Sequence, residues 1–379
     1  MNQFNLSRLL SLAMILGFSI LFSCSDDDES VPPVLPGQEG FFVVNEGLFG
    51  GANASLSFYD RETGQMQNDV FFNANNEDLG DQAQSMTIID TLGYIVVQNS
   101  FKIEVIDIDD FKRVATIGVE DGIESPRYLV AAGDNKAYVS DWGETGDVGT
   151  VKVLDLSTRQ VTATIPVGFG TNRMIRVRDR VYVTNQGGFN NQSFVFTKDN
   201  RVTVINTVTD RIETTIEVGD NPSAIEVDAT GNLWVVGRGN IVRTPPDFSI
   251  DFDASTAGFI SKIAPDNTVL FTTEFLEKNS GPSNVAISPN GNTLYFDYQK
   301  DIYTLDTNIA NETSLGNTVF IDREDREFYG FSVNPATGEF IAGDAPSFTS
   351  AGTIFIYNEQ GEVQNQFEVG IGPNGATFK

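Results

Sequence analysis

The sequence predicts an all-β fold: a seven-bladed β-propeller closed by pairing of its C-terminal strand into the first blade. Three observations predict it. A short pattern, an aromatic residue set among β-branched and small ones, returns seven times along the chain. Each return belongs to a group of alternating strands, giving a unit of four antiparallel strands in roughly 40 to 60 residues, the period of a propeller blade. The two ends are complementary. The folded part begins at a second strand with no inner strand before it, and the chain stops at Gly375-Ala376-Thr377-Phe378-Lys379, an inner strand with nothing after it.

Residues 1–23 read as a signal peptide. Arg8 supplies a positive start and Ser23 a small residue before Cys24. The apolar stretch from Leu9 to Phe22 has signal-core length and is short of the roughly 20 residues that span a bilayer. Cys24 is the only cysteine, so internal disulfides and cysteine metal sites are excluded. Leu21-Phe22-Ser23-Cys24 resembles the bacterial lipobox, which makes Cys24 the expected site of lipid attachment. The same residues also suit a plain signal peptide or membrane anchor with an incidental cysteine. Residues 24–39 read as a tether. Ser25-Asp26-Asp27-Asp28-Glu29 is an acid block suited to solvation, and Val31-Pro32-Pro33-Val34-Leu35-Pro36-Gly37 a Pro-rich spacer that resists packing.

Residues 40–379 carry the repeats. The clearest copies are Gly93 to Val97 (GYIVV), Lys136 to Ser140 (KAYVS), Arg180 to Thr184 (RVYVT), Asn232 to Val236 (NLWVV) and Asn292 to Phe296 (NTLYF). Gly40 to Val44 and Glu339 to Ala342 are weaker ones. A further strand follows each copy and usually ends at Asp or Asn, as at Asp60, Asp107, Asp155, Asn206, Asp306 and Asn358. Phe259 to Ile263 is the irregular member. Period-two alternation with β-branched residues marks these as half-buried strands. Ahead of the pattern lies another short apolar strand, as in Arg127 to Val130, Ala224 to Val227 and Asn284 to Ile287. The two are joined by turn clusters such as Ala229-Thr230-Gly231-Asn232 and Ser288-Pro289-Asn290-Gly291.

In such a unit the chain runs from the axis outward. Loops from second to third strand and connections from outer strand to the next inner strand therefore share one face. The turns on the opposite face read as short and uniform. On the first face the loops are long and varied, and long loops in a compact domain are usually functional or disordered. They carry aromatics, amides and a few arginines against an acidic background, the mixture of apolar surface and placed polar groups that binding sites use. The candidate ligand-binding residues are Glu46, Phe49, Asn99, Arg127, Tyr128, Trp142, Arg173, Asn185, Phe189, Arg238, Tyr298 and Tyr329. For any one phenylalanine, folding inward to support its own loop is an equal alternative.

The formal charge of −28 repels nucleic acid and anionic headgroups. The absence of histidine removes histidine bases and ligands. Gly237-x-Gly239 lacks the third glycine of a dinucleotide fingerprint, since position 242 is Val. No cofactor is expected, with one alternative. Glu46, Asn99, Asp141, Asn185, Asp297 and Asp344 end second strands or begin the loops, and an oxygen-only ring of that kind could hold Ca²⁺, as in lactonase propellers. Asp and Asn are also ordinary strand-end residues.

Two stretches resemble a known family. Phe42-Val43-Val44-Asn45-Glu46-Gly47 with Asn53-Ala54-Ser55-Leu56-Ser57-Phe58-Tyr59-Asp60, followed by Leu79-Gly80-Asp81-Gln82-Ala83-Gln84-Ser85-Met86, is similar to the surface propeller lipoproteins of Bacteroidota, such as the BtuG-type cobalamin-binding proteins. Tyr182-Val183-Thr184-Asn185 resembles the wider YVTN/YncE-like propellers. The acid block after Cys24 looks like the export signal of those surface lipoproteins. The resemblance implies a lipid-anchored outer-membrane protein facing the exterior. Such a protein captures a nutrient, with cobalamin or a related corrinoid leading, and hands it to a TonB-dependent transporter. Glycans and proteins are alternative ligands, and a Ca-dependent lactonase-like enzyme is the alternative activity.

Overall fold

A computed structural model describes residues 39–193, 195–244, 247–279, 281–309 and 318–379. The expected signal peptide, Cys24 and the expected tether as far as residue 38 lie outside the described residues.

The fold is all-β apart from single turns of helix. Five four-stranded sheets, one eight-stranded sheet and two two-stranded hairpins make up the described residues. The four-stranded sheets are consecutive antiparallel meanders. The third unit, for instance, runs Pro126–Gly133, Lys136–Asp141, Thr150–Asp155 and Gln160–Pro166. The eight-stranded sheet is two such meanders joined by one parallel pairing, Gly330 with Asn374. One of its halves is built from both ends of the chain. The C-terminal strand Pro373–Phe378 pairs antiparallel with Gly40–Asn45, which pairs in turn with Ser55–Asp60. The two ends meet as their sequences predict.

Burial follows position in the unit. Second strands such as Leu92–Val97 and Lys136–Asp141 are buried at nearly every residue. Outer strands such as Gln160–Pro166 are mostly exposed. Sheets packed face to face bury both sides of their central strands, which accounts for the near-continuous apolar runs. The cores lie between neighbouring units. Tyr94 and Val96 of one pack with Leu129 and Val139 of the next, and Trp234 with Leu294 and Phe296.

The recurring Asp or Asn at the end of each third strand has a local cause. Asp155 Oδ1 accepts from the backbone N–H groups of Ser157 and Thr158, at 3.0 and 2.7 Å. Asn206 Oδ1 does the same for Val208 and Thr209. These side chains nucleate the turn to the outer strand. Turn glycines are equally specific: Gly291 has φ +69°, and a Cβ there would lie 2.5 Å from the backbone nitrogen of Ala229.

Inner strands of successive units touch in sequence order, and the strand Phe328–Val333 touches Pro373–Phe378, which touches Ala83–Ile89. Polar side chains stitch them. Thr377 donates to Met86 O, Ser85 to Arg127 O, Asn172 to Ser223 O, and Asn284 to Tyr329 O.

Three features depart from the sequence reading. The link from Gln65–Gln67 to Ala83–Ile89 contains a helix, Val70–Asn75, which buries Val70 and Phe71. The opposite-face turns are not uniform, because the connection between Asp301–Asp306 and Thr318–Ile321 is much longer than its equivalents. The two longest loops hold hairpins of their own, Gly188–Asn190 with Val195–Thr197 and Arg243–Thr244 with Ser249–Ile250.

Candidate functional site

The register brings the second-to-third-strand loops and the outer-to-inner connections to one face: Pro126 pairs with Asp141, and Thr171 with Asn185. Phe49, Phe72, Phe101, Phe169, Phe189, Phe196, Phe248, Phe252 and Phe348 are the exposed phenylalanines among the described residues. All nine lie on segments of this face.

Within this face the predicted residues fall into two groups and several outliers. The first group forms a cleft of about 440 Å³ between the third, fourth and fifth units. Trp142, Phe189, Phe196, Arg238, Arg243 and Asn221 contribute to its wall. Phe189 and Phe196 are cross-strand partners on the hairpin, with ring centroids 4.6 Å apart. Trp142 is fixed by donating Nε1–H to Thr171 O at 2.8 Å.

The second group gathers on the inner strands Pro126–Gly133, Thr171–Val177 and Phe328–Val333. Arg127 lies over the Trp142 ring at 4.2 Å and beside the Tyr128 ring at 5.9 Å. Arg173 approaches the same Tyr128 ring at 4.9 Å. Tyr128 Oη accepts from Gln84 Nε2 at 3.1 Å, and Arg127 Nη1 donates to Gln98 Oε1. Tyr329 donates its hydroxyl to Glu46 Oε2, and its ring meets Phe348 edge-on at 4.9 Å. Burial pushes the Glu46 carboxyl above its ordinary range, against the hydrogen bond from Tyr329 and the charge of Arg127. Burial, then the charge of Glu46, pushes the Tyr329 phenol up. Burial pushes the Arg127 guanidinium down. Arg127 therefore links this group to the cleft, stacked on the tryptophan that lines the latter.

The outliers serve structure. Asn185 is fully buried and donates to Arg201 O and Thr203 Oγ1. Asn99 donates to Asp81 Oδ2, which also holds the backbone of Gly50, so the two pin the first loop. Tyr298 stacks on Phe275 at 4.3 Å and packs against its own unit's core. Phe49 is exposed on this face but does not line the cleft. Gln84, Gln98 and Phe196 complete the two groups without having been singled out as ligand-binding candidates. Phe196 sits in an aromatic-rich loop, a signal that could have found it. Nothing local marks the glutamines.

The acids considered for Ca²⁺ turn to the backbone. Asp141 accepts from the N–H groups of Glu124, Ser125 and Gly143, and burial raises its carboxyl against those bonds. Asp297 accepts from Ser283 and Asn284, and Asp344 from Glu327. Among the described residues no cluster of three or more His, Cys, Asp or Glu is placed to hold a metal.

A family model described as "Domain of unknown function (DUF5074)" matches residues 39–369. The structure is similar to a quinonprotein alcohol dehydrogenase-like protein of Bacteroides thetaiotaomicron, at 16% identity and a TM-score of 0.63 over 90% of this chain and 78% of that one. It is also similar to hydrazine synthase of Kuenenia stuttgartiensis, at 14% identity and a TM-score of 0.58 over 82% of this chain and 96% of the other. These likenesses support a propeller-like fold. No curated protein matches the sequence.

Proposed function

Because the chain belongs to the DUF5074 family and has a propeller-like all-β fold, we propose that it is a binding protein whose long-loop face captures a nutrient ligand. In this reading its units form one seven-bladed ring, closed by the strand Pro373–Phe378. The observation that carries the proposal is the gathering of every described exposed phenylalanine on the face that also holds the cleft.

The ligand we favour is cobalamin or a related corrinoid. A large, amide-rich planar molecule suits a cleft with aromatic walls, two arginines and amide side chains. The cleft seats part of such a ligand, and the surrounding exposed rings offer further contact to the ligand or to a transporter. Cys24 would carry the lipid anchor and the acidic tether would face the protein outward. A tether raises the effective concentration of the domain at a neighbouring TonB-dependent transporter in the outer membrane. Glycan or protein ligands would use the same rings. For the lactonase reading, Asp141, Asp297 and Asp344 are already engaged by backbone N–H groups and Glu46 by the Tyr329 hydroxyl.

Titration with cobalamin, followed by heat and by the corrinoid spectrum, is expected to give saturable binding. Trp142→Ala, Phe189→Ala and Arg238→Ala are each expected to weaken it roughly tenfold or more, the scale of a buried aromatic or arginine anchor. No heat and no spectral change at tens of micromolar ligand would end the corrinoid reading. Three variants with unchanged affinity would place binding elsewhere. For the anchor, Cys24→Ala is expected to move the protein from the membrane fraction to the soluble one. A variant still found with the membranes would remove the lipid-attachment assignment.

A further inference from the structure

The axis carries a second cavity, distinct from the cleft. It measures about 250 Å³ and is lined by residues from all seven inner strands. Arg173 and Glu226 are the charged residues on its wall. The rest divides into hydroxyl and amide groups, such as Gln84 and Asn374, and an apolar surface that includes Met86, Leu129, Ile225 and Phe331.

Arg173 lines this cavity, and Arg127, outside its lining, approaches the same Tyr128 ring. Acids outnumber bases in this chain, 52 to 24, and many of its other cations are ion-paired, as Lys152 is to Glu124 and Arg201 to Asp199. Arg127 and Arg173 have no carboxylate ion pair among the described residues. Arg173 donates to the amide oxygen of Asn284 at 3.3 Å. Arg127 donates to Gln98, and its Nε is buried with no acceptor. Glu46 acts on Arg127 from a distance but is held by Tyr329. A buried N–H donor left without an acceptor is costly, so a fixed, unsatisfied guanidinium edge favours an incoming acceptor. Guanidinium forks match planar oxyanions, and carboxylates and phosphates are their usual partners.

We infer that the axial cavity binds a small organic carboxylate, with the carboxylate at Arg173, near enough to Arg127 to feel its charge, and the hydrocarbon part against Met86, Leu129, Ile225 and Phe331. Most of the exposed lining is polar, and its smaller apolar part, Met86, Leu129, Ile225 and Phe331, gives a short carbon chain a contact that inorganic phosphate lacks. The cavity holds about eight waters' share of liquid volume at ~30 Å³ each, which sets the ligand at a few heavy atoms. Glu226 is the acid that an entering anion must tolerate, and burial pushes its carboxyl up to about 7, so it is far from fully charged near neutrality.

Trp142 provides the readout, because Arg127 lies on its ring while Trp234, the other tryptophan, is fully buried elsewhere. Butyrate titrated into the full chain at constant ionic strength is expected to change tryptophan emission saturably, with a matching heat. Arg173→Gln is expected to weaken butyrate at least tenfold, Arg173→Lys to weaken it less, and Arg211→Gln on an exposed outer strand to leave it unchanged. A circular-dichroism melt establishes that each variant is folded. If Arg173→Gln does not fold, the Arg173→Lys comparison decides alone. No saturable response, or equal affinity in folded Arg173 variants, would overturn the site. Inorganic phosphate binding as tightly as butyrate would overturn the carboxylate assignment.

Discussion

Deleting residues 373–379 is expected to remove the single cooperative thermal transition of the domain. Among the described residues, Pro373–Phe378 is the only inner strand contributed from outside its unit's own stretch of chain. It pairs with Gly40–Asn45 through Phe41, Phe42, Val43 and Asn45, and its Phe378 ring lies 6.1 Å from Phe41. Its loss uncovers a core formed by Phe41, Val43, Ile341, Ile354, Ile356 and Val369. It also removes the bonds from Asn374 to Gln84 O and from Thr377 to Met86 O that tie it to the next unit. Opening one core site of this kind costs about 3–5 kcal/mol for a phenylalanine alone, against a total stability of about 5–15 kcal/mol. Gly40–Asn45 would also be left with an unpaired edge, a template for aggregation. The measurement is a calorimetric melt of the truncated and full chains. A sharp transition at an unchanged temperature in the truncated chain would show that the terminal strand is not structural.

Glu226→Gln is expected to stabilise the protein above neutral pH and to have little effect in acid. Burial raises the Glu226 carboxyl from 4.5 to about 7, and the charge of Arg173 opposes that rise. The unfolded chain therefore ionises first. As pH climbs from about 4.5 to about 7, the unfolded state loses its proton while the folded state retains it, and stability falls. Above about 7 both states are ionised and the full penalty stands, on the order of 3 kcal/mol at about 1.4 kcal/mol per pKa unit. Glutamine keeps the shape and carries no charge, so it removes the penalty. Chemical denaturation at pH 5 and pH 8 checks this. A variant whose advantage is the same at both values would show that Glu226 does not titrate in this window.

The strands were legible because their signal is local. Arg180–Asn185 could be read from alternating valines around Tyr182, and its turn from the chain itself. The end-to-end pairing was legible because a second strand without a first and a first without a second can satisfy only each other. The helix Val70–Asn75 was not, since a single turn is too short to show a period. The hairpin carrying Phe189 and Phe196 was hidden for a related reason, its strands being only three residues each. For the site, topology predicted which segments share a face but not where side chains point. Trp142, Phe189 and Arg238 lie on consecutive units and meet in a cleft. Asn185 stands on the same face and turns inward to its own strands. The contact between Glu46 and Tyr329 joins residues from opposite ends of the chain, and no local pattern encodes it.

The shared first sheet also decides how the domain bears load. The strand Gly40–Asn45 is where the chain from Glu39 enters the fold, and it is hydrogen-bonded on both edges, to Ser55–Asp60 and to Pro373–Phe378. Lys379 N donates to Gly40 O at its very start. A pull along this strand through the preceding chain strains both ladders in shear, so their bonds must fail together rather than peel one at a time. Flow or a moving partner tugging on the domain would thus meet its resistance at the seam where the chain's two ends are sewn together.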